Sequence, residues 1–295
     1  KSLMKKNIKI HELIKTNKNF IEKELSIILN NVNSPSTLKN VMKYAVLNGG
    51  KRIRPFILAE VAKIYSVKSA IYKYPSMAIE MAHCFSLIYD DLPCMDNDDL
   101  RRGKPTVHIA FNEANALLGG ASLLIYSYNV LTDKKFKVKD NIKNSIINNF
   151  SSAIGAEGML AGQFLDLEAE ESKFKLTLAK FKNIQEKKTS LLISLCAITG
   201  AILGNANNYE KRLFYDFGIT IGRIFQIRDD ILDLEGSEKM MGKKINKDSK
   251  KNKATIIRLK NIDFAKKEIN KLADKARITL SSIKKDTRTL EELIR

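Results

Sequence analysis

The sequence predicts an all-α protein, and three features carry that prediction. All five prolines (Pro35, Pro55, Pro75, Pro93 and Pro105) fall within the first 105 residues, so nothing beyond them forces a helix to break. Strand-type alternation of Val, Thr and Tyr is absent. Apolar residues recur instead at helical spacing along most of the chain. At 295 residues the chain can bury a large core, and we expect a single domain over 1–295.

Taken in order, residues 4–30 place Ile8, Ile10, Leu13, Ile14, Phe20, Ile21, Leu25 and Ile28 near helical spacing, which predicts a first helix. Asn30 to Ser36 is polar, contains Pro35, and reads as a loop. Leu38 to Leu47 resumes the helical pattern, which stops at Gly49-Gly50. Lys51, Arg52 and Arg54 then open the next apolar helix, Ile57 to Tyr65. Three cations near a helix start, where backbone N–H groups point outward, suit an anion, although an exposed basic turn would read the same way.

The apolar run Met77 to Ile88 leads into L-I-Y-D-D-L-P-C-M-D-N-D-D-L-R-R-G-K-P-T, Leu87 to Thr106. Asp90, Asp91, Asp96, Asp98 and Asp99 would repel one another unless cations sit among them. Hard oxygen donors of this kind suit Mg²⁺, which takes one or two carboxylates together with phosphate oxygens. Arg101, Arg102 and Lys104 follow at once, and arginine forks onto phosphate oxygens. The pattern suggests a metal–diphosphate site. Its alternative, a solvated acidic turn, is weakened because the acids follow an apolar helix and not a polar linker.

Ala114 to Leu131 is apolar and rich in small residues, as a buried helix would be. Lys134 to Asn149 reads as a lysine and asparagine loop leading into another helix, on which Gln163 and Asp166 lie three apart and share a face. Phe181 to Leu203 is a long apolar helix carrying Lys188, Thr189 and Ser190. A lysine there is costly without an anion to meet it. Mid-helix hydroxyls can bond back to the preceding turn and bend the helix.

A second acidic cluster lies in F-Q-I-R-D-D-I-L-D, Phe225 to Asp233, within an apolar-periodic stretch. Asp229 and Asp233 are four apart and stack on one helix face, with Asp230 beside them. One such motif is a weak signal; two, far apart in sequence, are a strong one. Glu235 to Lys253 is a lysine-rich run, most of which reads as a solvated face.

These stretches resemble the trans-isoprenyl diphosphate synthases, most closely the bacterial-type farnesyl diphosphate synthases. The matching motifs are G-G-K-R-I-R-P (Gly49 to Pro55), the first acidic stretch, G-Q-F-L-D-L (Gly162 to Leu167), K-T (Lys188, Thr189) and the second acidic stretch, in the family's order and at about its spacing. The first motif has four residues between its Asp pair and the third Asp, which in that family marks the bacterial short-chain branch.

The resemblance implies an isoprenoid-synthase-type helical bundle around a deep apolar cavity, acting as a homodimer. It implies condensation of isopentenyl diphosphate with allylic diphosphates (dimethylallyl, geranyl) to give farnesyl diphosphate. It further implies three Mg²⁺ ions, for which Mn²⁺ could substitute, held by Asp90, Asp96 and Asp229. Asp91, Asp230, Arg101 and Lys188 join the catalytic set. Lys51, Arg54, His83 and Arg102 bind isopentenyl diphosphate, whereas Arg101, Lys188, Thr189, Gln226 and Lys243 serve the allylic substrate. Phe85 and Ser86 match positions that set chain length. The alternatives are a geranylgeranyl or geranyl diphosphate synthase, or a non-catalytic partner subunit. A terpene cyclase would need no second diphosphate site.

Departures from the family pattern are Tyr89, where His commonly precedes the Asp pair, Asn246 where glycine is usual, and Ile256 where tyrosine is. His11 reads as exposed, and His108 is given no role.

Composition narrows the partners. The net charge of +18 invites a nucleic-acid reading, but Lys is scattered among Asn and Ile and no aromatics interleave with a basic stripe, so no nucleic-acid partner is expected. A positive field instead helps to draw in diphosphates. Cys84, Cys94 and Cys196 form no framework and have no metal-ligand spacing, which fits a reducing compartment. No apolar run of about eighteen residues appears, so no membrane span is expected. The opening K-S-L-M-K-K-N has no apolar secretory core. Because it begins with Lys, an upstream segment could have been removed; the cytoplasm is expected and an organelle stays open. The closing L-E-E-L-I-R reads as a helix cut short of the family's usual end.

Overall fold

The computed structural model describes residues 9–171, 176–241 and 256–295, the side chains of 233–241 and 258 aside. Among the described residues the chain is all-α apart from one two-stranded hairpin. The helices are α1 (Ile10–Asn30), α2 (Ser36–Leu47), α3 (Ile53–Ile64), α4 (Ser69–Asp90), α5 (Val107–Ala110), α6 (Glu113–Thr132) and α7 (Asp140–Ile154). They continue as α8 (Met159–Glu171), α9 (Leu178–Gln185), α10 (Leu191–Leu203), α11 (Asn208–Met241), α12 (Ile256–Leu259), α13 (Ile262–Ser281) and α14 (Arg288–Leu293). β1 (Leu100–Arg101) and β2 (Lys104–Pro105) pair antiparallel. A π-helical turn, Glu186–Ser190, joins α9 to α10. Among the described residues no helix is long and apolar enough to cross a membrane.

Contacts divide the chain into two compact units. The first comprises 1–150, 199–206 and 288–293; the second comprises 151–198, 207–287 and 294–295. The first unit is built on α3 and α4. Every residue from Pro55 to Ala62 is buried and all but Glu60, which pairs with Lys63 at 2.6 Å, are apolar, as suits a helix enclosed by others. α1 offers only a stripe, with Ile21, Leu25 and Leu29 buried at four-residue spacing. α6 comes close to its neighbours at Gly119, where a Cβ would strike the Val41 side chain of α2, and at Gly120, where it would strike Tyr89 of α4.

In the second unit α11 packs along α13, whose Ala265, Leu272, Ala273, Ala276 and Leu280 are buried. Asn261 caps α13 by accepting from the Phe264 N–H at 2.7 Å, one of the donors a helix start leaves unpaired. Phe181, Ile227, Ile231, Ile256, Ala265 and Leu272 form its core cluster.

Two expectations shift. The stretch 134–149, expected as a loop, turns helical at Asp140, because Ile146 and Phe150 are four apart and both buried. The long helix expected over Phe181 to Leu203 is interrupted by the π turn at the mid-helix hydroxyls. Cys84 and Cys196 are buried and Cys94 is exposed, all three free.

Candidate active site

The first acidic cluster sits where α4 ends and the chain doubles back. Asp91 caps the helix, its N–H donating to the Leu87 carbonyl at 3.1 Å. The Asp96 N–H then donates to the Asp90 carbonyl at 2.9 Å, which brings the third Asp back beside the helix end. The Thr106 hydroxyl donates to the Asp98 carbonyl at 2.8 Å and ties down the far side of the loop. Arg102 (φ 55°) and Gly103 (φ 77°) turn the hairpin between β1 and β2.

The acids of this loop differ. Asp91 is buried, and Arg101 Nε donates to both its oxygens, at 2.8 and 2.9 Å. Burial pushes the Asp91 carboxyl up while the guanidinium pulls it partly back. The same contact holds Arg101 above its ordinary value despite its burial. Asp90 and Asp96 are half-buried. Among the described residues no three His, Cys, Asp or Glu side chains form a closed metal cluster. Two partly open carboxylates suit an ion that takes one or two protein oxygens and completes its shell with phosphate and water, as Mg²⁺ does; they do not suit an all-protein cage.

A cationic anchor lies on the same unit. Arg102 Nη1 donates to the Gly49 carbonyl, and its guanidinium covers Gly50 so closely that a Cβ there would lie 2.7 Å from Cζ. Gly49 and Gly50 hold φ of 89° and 111°, which explains the pair of glycines. Arg54 Nη1 lies 3.1 Å from His83 Nε2. Arginine only donates, so Nε2 accepts and the histidine proton sits on Nδ1. Burial, then Arg54 and Arg102, hold His83 well below its usual pKa of 6.5, and it is neutral at pH 7. The buried Nε of Arg54 has no hydrogen-bond partner among the described residues. A donor left without a partner marks room for an acceptor. Lys51 is exposed beside it.

Arg52, between these two cations, is turned inward. Its left-handed backbone (φ 54°) sends the side chain to Glu80 Oε1 at 2.6 Å, Glu22 Oε1 at 3.1 Å and the Val46 carbonyl. Along Lys51-Arg52-Ile53-Arg54, Arg52 is thus buried and paired while Lys51 is exposed and Arg54 half-buried. Nearby, a cavity of about 30 Å³, room for a water molecule or two, is lined by Cys84, Leu87, Asp91, Arg101, Arg102 and Thr106.

The second unit carries the other acids. Thr189 donates to Gln226 Oε1 at 3.1 Å, and Gln226 Nε2 donates to Asp230 Oδ1 at 3.2 Å. The Ile256 N–H donates to Asp230 Oδ2 at 3.2 Å, so buried Asp230 accepts from both Gln226 and the backbone, while Asp229 is exposed. Lys188 Nζ meets Asp166 Oδ2 at 2.7 Å. The anion that an apolar-helix lysine requires is therefore supplied by α8. Gly162 lets α8 approach, since a Cβ there would overlap the Lys188 backbone N. Gln163, one residue on, is buried, and its Oε1 is without a partner among the described residues.

Lys243 and Asn246 lie outside the described residues, as does the side chain of Asp233. Sequence reasoning missed the Arg52–Glu80 pair, although a glutamate inside the apolar run Met77–Ile88 was a sign that a cation would be found opposite. It also missed the Glu186–Arg223 ion pair beside the π turn, for which no motif prepared it. Phe85, 3% exposed, packs its ring on Tyr89 with centroids 4.6 Å apart. Ser86 is half-buried and its hydroxyl donates to the His83 carbonyl at 2.8 Å.

Comparison with known proteins identifies the family. The polyprenyl synthetase family model matches residues 35–293. A farnesyl diphosphate synthase of Bacillus subtilis is 41% identical over 263 residues, covering 89% of this chain and 88% of its own. A geranylgeranyl pyrophosphate synthase of Arabidopsis thaliana is 35% identical over 253 residues, covering 85% and 68%. The crystal structure of an FPP/GFPP synthase from Zymomonas mobilis superposes with a TM-score of 0.88 at 32% identity, covering 98% of each chain. The chain belongs to the polyprenyl synthetase family, as a short-chain prenyltransferase of the trans-isoprenyl diphosphate synthase type closely related to the bacterial farnesyl diphosphate synthases.

Proposed function

We propose that this protein condenses isopentenyl diphosphate with dimethylallyl and then geranyl diphosphate, ending at farnesyl diphosphate. The observation that carries the reading is the cationic anchor of Arg54, His83 and Arg102, with its unpartnered Arg54 Nε. A diphosphate substrate held through metal leaves this anchor over for a second one, which elongation needs and cyclisation of a single diphosphate does not.

In this reading Asp90, Asp96 and Asp229 hold Mg²⁺, and Asp91 keeps Arg101 oriented beside them. Bound Mg²⁺ supplies neutralisation and polarisation of the allylic diphosphate, making it a leaving group. Arg101, Lys188 and Lys243 take up the remaining negative charge. Lys51, Arg54, His83 and Arg102 hold isopentenyl diphosphate so that its double bond meets the allylic carbon. Thr189 and Gln226 flank that carbon. The C–O bond of the allylic diphosphate breaks, a carbon–carbon bond forms, and one proton leaves to the departing pyrophosphate. Phe85 closes the path of the growing chain, which runs beside α4 into an apolar cavity. We further propose a homodimer acting in the cytoplasm, with Mn²⁺ able to replace Mg²⁺.

A longer product is the competing reading, favoured by the similarity to a geranylgeranyl pyrophosphate synthase. Purified protein given labelled isopentenyl diphosphate, dimethylallyl diphosphate and Mg²⁺ decides. Chromatography of the dephosphorylated products should show fifteen carbons as the main length. Twenty would establish the competitor, and no incorporation would leave a partner subunit.

A further inference from the structure

Tyr89 directly precedes the Asp90-Asp91 pair, and its surroundings give it a task. On α4, Asp90 and Ser86 are four apart and form one column, while Tyr89 and Phe85 form the next, about 100° round the helix. Tyr89 is seated on α6: a Cβ on Gly120 would lie 2.6 Å from its Cε2, and its hydroxyl donates to the Leu117 carbonyl at 3.3 Å. On its other side its ring meets Phe85, at 4.6 Å and a 58° tilt. A helical phenylalanine has two usable χ1 wells, since the third drives the ring into the preceding turn. Two orientations are therefore open to Phe85, and the Tyr89 ring that touches it limits its freedom to exchange them.

We propose that Tyr89 is a positioning residue for product length: wedged between Gly120 and Phe85, its ring holds the Phe85 ring in the path of the growing prenyl chain. The inference rests on the reading that the chain elongates beside α4. The ring does the holding, because the hydroxyl contact is long for a strong hydrogen bond.

The test uses the full chain with Mg²⁺, dimethylallyl diphosphate and excess isopentenyl diphosphate. It compares wild type, Tyr89→Phe, Tyr89→Leu, Tyr89→Ala, Phe85→Ala and the Tyr89→Ala/Phe85→Ala double variant, with circular dichroism melts alongside. Tyr89→Phe should keep the wild-type length. Tyr89→Ala and Tyr89→Leu should raise the ratio of twenty- to fifteen-carbon product by about tenfold, the scale at which small apolar volumes change selection in a pocket. The double variant should lengthen no further than Phe85→Ala alone, because Tyr89 acts only through that ring. A purely structural role would lower melting temperature and turnover without moving the ratio, and that result overturns the proposal. So does lengthening that adds independently to that of Phe85→Ala. Should Tyr89→Ala fail to fold, Tyr89→Leu, which keeps most of the buried volume, decides by the same ratio. Wild type that incorporates no isopentenyl diphosphate sinks the functional reading and this proposal with it. Unchanged length in an active variant sinks this proposal alone.

Discussion

Arg101 grips Asp91 through Nε, 2.8 and 2.9 Å from the two carboxylate oxygens, and so sets this buried acid apart from Asp90 and Asp96, which are half-buried. The division predicts different consequences for substitutions that look alike in sequence. Asp91→Ala strips a partly buried guanidinium of its partner, which should cost about 2 kcal/mol after allowing for its partial exposure. Asp90→Ala and Asp229→Ala remove carboxylates that are half-buried and exposed, and should cost under about 1 kcal/mol while removing most Mg²⁺-dependent turnover. Urea melts and initial rates on the same preparations separate the two effects. Near-wild-type turnover in Asp90→Ala or Asp229→Ala is incompatible with the shared-metal reading.

The cationic anchor yields a kinetic prediction. Arg102→Ala and Lys51→Ala should raise KM for isopentenyl diphosphate by about tenfold or more, the loss of one charge-assisted contact, with kcat less affected. The allylic KM should stay put. If both variants damage only the allylic side, the division between the two diphosphates is wrong.

His83 carries the pH prediction. Its pKa in the folded chain lies well below 6.5, first through burial and then through Arg54, Arg102 and Arg52. Below pH 6.5 the unfolded chain takes up a proton that the folded chain refuses. Stability contributed by neutral His83 is thus full above that pH and falls as the pH drops toward the folded value, by up to about 1.4 kcal/mol per unit. His83→Gln should flatten this acid limb of the urea midpoint. An unchanged limb would mean that other groups carry it.

How much of this was legible beforehand follows the kind of signal each residue leaves. Proline placement and apolar period gave the all-α class, because both act on the backbone locally. The acids and cations of the motifs were visible because charge inside an apolar pattern demands a partner. What the sequence could not name was the partner: Glu80 and Glu22 for Arg52, or Asp166 for Lys188, pairings 28, 30 and 22 residues apart that only the fold brings together. The 134–149 stretch misled because its lysines and asparagines mask the Ile146–Phe150 stripe. Tyr89 was visible as a departure, yet its contact with Gly120 depends on how closely two helices pack.

Arg52 and Glu80 give the largest expected stability effect. Both side chains are buried, 0% and 3% exposed, at 2.6 Å. Glu80→Ala leaves a buried guanidinium with a weaker partner, and Arg52→Ala leaves a buried carboxylate; each should cost about 3–5 kcal/mol. Cys84 beside them, its thiol pushed up to about 12 by burial and Glu80, stays protonated and should resist thiol reagents in the native state. Exposed Cys94 should react first, and mass spectrometry of a brief alkylation checks the order.

The π turn carries the last prediction. Lys188 and Thr189 point their side chains at Asp166 and Gln226 from a turn that α8 can approach only because residue 162 is glycine. An alanine methyl at that position meets the Lys188 N and Cα and the Lys187 carbonyl carbon, all backbone, so no rotamer change can relieve it. α8 and the turn must move apart. Gly162→Ala should therefore cost about 1–3 kcal/mol, the usual penalty of overpacking. It should also loosen the Lys188–Asp166 pair, so KM for the allylic diphosphate should rise while that for isopentenyl diphosphate does not. Phe164→Ala, two residues on and 62% exposed, is the control on the same helix and should stay within about 0.5 kcal/mol of wild type. A Gly162→Ala protein that melts like wild type would show that α8 has room to spare. One that raises both Michaelis constants alike would detach the π turn from the allylic side.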